Sequence, residues 1–214
     1  MIKAVIFDLD GVIIDTAHYH YIAWKRLASE FGITLTHENN EMLKGVSRMR
    51  SLEIILSLGK IELPEQQKEQ LAEKKNKWFV EYIESIRPEE IFPGVRELLK
   101  NLKKKNIKVG LASSSKNAPR VIELLGIGRD FDTLVDGTMI THSKPDPEIF
   151  LLAAHKLGTT PNECVVFEDA EAGVEAALAA EMKCVGVGSV EQLGKANKVV
   201  ARTGDFDVQW LDKL

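Results

Sequence analysis

Val5-Ile6-Phe7-Asp8-Leu9-Asp10-Gly11-Val12-Ile13-Ile14 is the stretch on which the rest of the chain depends. It opens as a near-continuous apolar run from Ala4 to Phe7, the pattern of a strand buried on both faces of a parallel sheet. Side chains alternate along a strand, so Asp8 and Asp10 point the same way if the extended geometry persists, and Gly11 breaks it. In open α/β sheets, ligands bind at the carboxyl ends of the strands. Two neighbouring carboxylates repel unless a cation, a proton or a donor separates them. Magnesium fits there, because it is a hard cation that takes carboxylate and phosphate oxygens.

Beyond Ile14 the pattern turns helical. Thr16 is a candidate N-cap, and Tyr19, Ala23, Trp24, Leu27 and Phe31 recur at helical spacing up to Gly32. A short helix is expected over 36–44, stopping at Gly45. Ser47 caps a third helix, with Leu52, Ile55 and Leu58 on its inner face and Gly59 at its end. Pro64 opens a long fourth helix carrying Leu71, Trp78, Tyr82 and Ile83. Residues 16–87 thus read as a helical bundle with no strand signal. From Pro93-Gly94 onward, strands expected at 108–112, 133–135, 164–167, 183–187 and near Val199 alternate with helices. The fold class is α/β: a Rossmann-like parallel core from residues 1–14 and 90–214, with an inserted helical cap at 15–89. Two linkers sharing one hinge suggest opening and closing over the strand ends.

Composition narrows the function classes. The chain has 214 residues, 44% hydrophobic and 28% charged, with a formal net charge of -4. That length and apolar content allow a sizeable core, and the balance gives no basic field for nucleic acid. Cys164 and Cys184 sit in apolar strand-like runs and read as buried small hydrophobes in a reducing compartment. There is no signal-peptide pattern, no apolar run of membrane-spanning length and no internal repeat. The expectation is a cytoplasmic monomer acting on a small molecule, with neither nucleic acid nor membrane as partner.

Three further loops carry chemistry. Ser113 follows a strand and offers a hydroxyl plus backbone N–H groups to a phosphate, at the start of the helix near Asn117. Lys144 stands between Ser143 and Pro145, where the proline fixes the loop. Glu168-Asp169 ends another apolar strand. Two strands that both end in acidic pairs favour a shared metal site over coincidence.

In order and spacing, Asp8-Leu9-Asp10-Gly11, Ser113, Lys144-Pro145 and Glu168-Asp169 resemble the haloacid dehalogenase-like phosphotransferase superfamily over the whole chain. The resemblance implies magnesium and an aspartyl-phosphate intermediate. Asp8 would be the nucleophile and Asp10 the general acid and base. Asp8, Asp10, Glu168 and Asp169 would form the metal site, and Ser113 and Lys144 would hold the transferring phosphoryl group. Within the superfamily, Thr16, His20, Trp24, Lys44, Gly45, Arg48, Ser51, Lys75, Ser115 and Asn117 look like substrate-binding positions of the β-phosphoglucomutase family. That family interconverts β-glucose 1-phosphate and glucose 6-phosphate through the 1,6-bisphosphate. Met49-Arg50 and Ser114 depart from the pattern and bear on fine specificity. The core motifs equally allow a sugar-phosphate phosphatase, and fold alone allows a silent phospho-ligand binding protein.

Overall fold

The computed structural model describes residues 1–43 and 46–214. Among the described residues the strands are β1 (Ala4–Phe7), β2 (Lys108–Ala112), β3 (Thr133–Val135), β4 (Cys164–Glu168), β5 (Lys183–Val187) and β6 (Lys198–Val200). All pair in parallel, in the order β3-β2-β1-β4-β5-β6. This is the Rossmann-like α/β fold. Two apolar clusters cover the two faces of the sheet. Val5 and Phe7 of β1 join one, and Ala4 and Ile6 join the other, as the alternation of a doubly covered strand requires.

Among the described residues, the inserted segment after β1 holds four helices: α1 (Ala17–Glu30), α2 (His37–Glu41), α3 (Arg48–Leu58) and α4 (Glu65–Ile83). Trp24, Leu27, Leu52, Ile55, Leu56 and Ala72 form a third apolar cluster among them. The helices of the alternating part are α5 (Val95–Lys104), α6 (Ala118–Leu125), α7 (Glu148–Leu157), α8 (Glu171–Ala179) and α9 (Val190–Leu193).

Several local expectations need correction. Thr16 stands at the N-cap of α1 but makes no capping hydrogen bond. Leu58 is 40% exposed, and Leu56 takes its place inside. The buried stripe of α4 is Ala72, Lys75, Phe79 and Ile83, while Leu71, Trp78 and Tyr82 only flank it. A lysine inside that stripe hid the true helical phase. The strand β1 ends at Phe7, so Asp10 belongs to a turn, where Gly11 N–H donates to the Ile14 carbonyl at 2.8 Å. The sequence also suggests a helix at the end of the chain, but 3-10 turns at Val208–Lys213 stand there instead. The end of the helix expected over 36–44, like Lys44 and Gly45 themselves, lies outside the described residues.

Candidate active site

The register of the central strands assembles the site. Phe7 pairs with Leu111 on one side and with Phe167 on the other. Asp8 and Glu168, the next residues, and Ser113, one further on, therefore emerge from three adjacent strands at one end of the sheet. Asp8 N–H donates to the Phe167 carbonyl at 2.9 Å, and Ser113 N–H to the Val135 carbonyl at 3.0 Å.

Lys144 arrives from the loop between β3 and α7 and is only 2% exposed. Its Nζ donates to Asp8 Oδ1 at 2.5 Å and also to Glu168 Oε1. Burial opposes the ammonium charge, but the Asp8 and Glu168 carboxylates outweigh it and hold the lysine above its ordinary range. Glu168 is 0% exposed, and its Oε2 accepts from Ala170 N–H at 3.0 Å. With both oxygens engaged, Glu168 stands behind Asp8 as the anchor of Lys144. Burial raises its pKa, against the pull of Lys144. Asp8 Oδ2 accepts from Asp10 N–H at 3.0 Å, which fixes the Asp8 carboxylate from its other side.

A cavity of about 530 Å³ opens over this end. From the strand loops it is lined by Asp8, Asp10, Ser113, Ser115, Asn117 and Asp169. From the inserted helices it is lined by His20, Trp24, Arg48, Ser51 and Lys75. Thr16, Lys144 and Glu168 are buried beside or behind it. The loop after β2 is braced by its own hydroxyls: Ser113 Oγ accepts from Ser115 N–H and Ser115 Oγ from Asn117 N–H, each at 3.2 Å.

On the helical side, Lys75 is 2% exposed. Its Nζ lies 2.7 Å from His20 Nδ1, 4.5 Å from the Trp24 ring centroid and 4.7 Å from that of Phe79. Two ring faces and an imidazole lone pair replace water around the ammonium. If Lys75 donates to Nδ1, the ring proton of His20 sits on Nε2. Burial, then the Arg48 charge, lowers the Lys75 pKa; burial, then the Lys75 and Arg48 charges, lowers that of His20. Arg48 heads α3 behind its Ser47 cap, and its guanidinium reaches Asn76 Oδ1 at 2.8 Å and Glu73 Oε2 at 3.4 Å.

The residues present suit a divalent cation. Asp8, Asp10 and Asp169 line the same cavity, and Asp10 Oδ1 is buried with no hydrogen-bond partner. Burial and the Asp8 charge push the Asp10 pKa up to about 8 when no cation is there. A Cβ on Gly11, whose φ is +73°, would fall 2.0 Å from Asp169 Oδ2, so only glycine lets that carboxylate approach the Asp8–Asp10 turn. An all-oxygen carboxylate set is the chemistry of a hard divalent ion.

Some contributors had no clear sequence signal. A Cβ on Gly173 would lie 1.9 Å from Glu168 Cδ, so this glycine inside α8 makes room for the buried carboxylate. Its cue was a glycine five residues after Glu168 in an otherwise alanine-rich helix. Asn40, Glu69 and Glu73 also line the cavity. As single polar residues on helices or loops they look like ordinary surface groups.

Comparison with known proteins agrees with this geometry. The profile of the haloacid dehalogenase-like hydrolase family matches residues 2–181. The β-phosphoglucomutase of Bacillus subtilis (strain 168) is 46% identical over 211 residues, 98% of this chain and 93% of that protein. A phosphorylated carbohydrates phosphatase of Thermotoga maritima is 36% identical over 83% of this chain and 81% of its own. A crystal structure of β-phosphoglucomutase from Clostridium difficile has a TM-score of 0.96 at 46% identity, covering 100% of this chain and 96% of that one.

Proposed function

Because the chain belongs to the haloacid dehalogenase-like hydrolase family, we propose that it is a magnesium-dependent β-phosphoglucomutase, interconverting β-glucose 1-phosphate and glucose 6-phosphate through a phosphorylated Asp8 and glucose 1,6-bisphosphate. One observation carries the reading: a single cavity is lined both by the Asp8 cluster of the sheet and by Arg48 and Lys75 of the inserted helices. A bisphosphate needs cationic groups for two phosphates, and one chain supplies both, so we take a monomer as the working unit.

The roles follow from placement. Asp8 Oδ attacks phosphorus and the sugar oxygen leaves; in the reverse sense the sugar hydroxyl attacks phospho-Asp8. Lys144 at Asp8 Oδ1 offsets the charge that repels an arriving phosphate. Ser113 and the N–H groups after it receive phosphoryl oxygens. Asp10, two residues on and lining the same cavity, gives the proton to the leaving sugar oxygen and takes it from the attacking one. Asp8, Asp10 and Asp169, with Glu168 beside them, would hold magnesium, which supplies divalent charge against the transferring oxygens. Glu168 sets the position of Lys144. Residues 15–89 act as the cap. His20, Trp24, Ser51 and Lys75 bind the sugar, Arg48, Ser115 and Asn117 its far phosphate, and Thr16 the hinge side. Closing the cap keeps water from phospho-Asp8.

A phosphatase is the second reading, favoured by the 36% identity to the Thermotoga enzyme. One assay separates them. Protein, magnesium, β-glucose 1-phosphate and a trace of the 1,6-bisphosphate are incubated, and glucose 6-phosphate and free phosphate are measured separately. The mutase yields mainly glucose 6-phosphate; mainly free phosphate would replace the mutase with the phosphatase.

A further inference from the structure

We propose that Asn76 is a positioning residue for the sugar's far phosphate. Its Oδ1 accepts from Arg48 Nη2 and from Asn117 Nδ2, both at 2.8 Å. One donor comes from α3 and the other from the loop leading into α6, so a single amide oxygen joins the inserted helices to the sheet domain. The proposal rests on the mutase reading and adds to it a residue that touches no substrate. Arg48 and Asn117 line the cavity, and Asn76 is half-buried behind them.

Hydrogen-bond chemistry fixes the arrangement. Arginine has donors only, so Asn76 must turn its oxygen toward Arg48. Asn117 then has to present its NH₂ group to the same oxygen. The amide of Asn117 carries two N–H bonds and the guanidinium five, so each keeps donors for an anion after serving Asn76. The second partner of Arg48, Glu73, is a weaker tether. It stands at 3.4 Å with a side chain 58% exposed, where water screens the pair. Holding a flexible arginine in one rotamer before ligand arrives lowers the entropy lost on binding.

The path of α4 keeps Asn76 in place. Its neighbour Lys75 is locked between Trp24 and Phe79. Eight residues on, near the same side of the helix, Glu84 receives a two-pronged contact from Arg120 of α6, at 2.9 and 2.6 Å. The start of α6 and the length of α4 are thus joined at two points, and Asn76 is the one that holds the cavity-lining Arg48 and Asn117.

The test uses the full chain with magnesium. Asn76→Ala should lower kcat/KM for β-glucose 1-phosphate by roughly tenfold or more, mostly through KM, the scale of losing a hydrogen bond to a charged group. Asn76→Asp keeps an acceptor for both donors and should recover most of that loss. In an Arg48→Ala background, Asn76→Ala should cost under about threefold more, because the residue it positions is gone. An unchanged KM in Asn76→Ala, an Asp variant as poor as Ala, or full additivity with Arg48→Ala would each overturn the proposal. If the wild type turns over no sugar phosphate, the mutase reading fails on its own. The same variants are then compared by calorimetric binding of glucose 6-phosphate, where equal Kd in wild type and Asn76→Ala overturns the positioning role.

Discussion

Replacing Lys144 by methionine tests the buried cluster directly. The side chain is of similar length, so the change removes charge and two hydrogen bonds with little loss of packing. Asp8 and Glu168, 5% and 0% exposed, then face each other without a counter-charge. Removing one partner of a buried pair destabilises by about 3–5 kcal/mol, chiefly because the other charge is left uncompensated. Part of that cost is relieved if a carboxyl takes up a proton. Without the ammonium that now opposes the upward shift, the folded pKa of Glu168 rises further above its unfolded value. A carboxyl raised in this way keeps its stability below the unfolded pKa and loses it as pH climbs toward the folded pKa. The deficit of Lys144→Met should therefore be small near pH 4.5 and full at pH 7 and above. Urea unfolding of both proteins in chelator at several pH values measures it. Adding Glu168→Gln should restore at least half of the lost stability at pH 7 but none of the phosphoryl transfer, since Lys144 also serves Asp8. A pH-independent deficit, or a double variant no more stable than the single one, would refute the reasoning.

Arg48→Ala should weaken use of the sugar bisphosphate by roughly 2–4 kcal/mol, the scale of truncating a charge-assisted contact in a closed site. Phosphorylation of Asp8 by acetyl phosphate, which carries a single phosphate, should change little; the ratio of the two second-order rates in each protein decides, and a parallel fall in both would make Arg48 structural. His20 is held well below its ordinary pKa by burial and by the Lys75 and Arg48 charges, so below about pH 6.5 the unfolded chain binds a proton that the folded chain refuses. Stability should fall as pH drops from 6.5 to 5, and His20→Gln should flatten that slope by up to about 1.4 kcal/mol per pH unit, read from denaturant midpoints. Gly173→Ala places a methyl 1.9 Å from Glu168 Cδ and should destabilise by about 1–3 kcal/mol while lowering activity. Wild-type melting and turnover in that variant would show that Glu168 has room to move.

The sequence by itself determined the fold class and the acidic and basic residues of the strand ends. Apolar runs at β1, β2, β4 and β5 declare buried parallel strands, and those of β1, β2 and β4 lead into a chemically distinctive residue or pair. Strand signals are local, because period and composition act over a few residues. Strand order is not local. Only the register of β1 between β2 and β4 shows that Asp8, Ser113 and Glu168 emerge side by side. Tertiary structure alone divided the acidic pair: Glu168 turned inward to Lys144, Asp169 outward to the cavity beside Gly11. It also placed Lys75, a substrate-binding candidate on sequence, in the core of the helical segment. Helical periodicity puts Phe79 one turn from Lys75, but it cannot predict that Trp24, on a different helix, closes over the ammonium from the other side. The same holds for the contacts of Asn76, on whose oxygen Arg48 and Asn117 converge from two other parts of the chain.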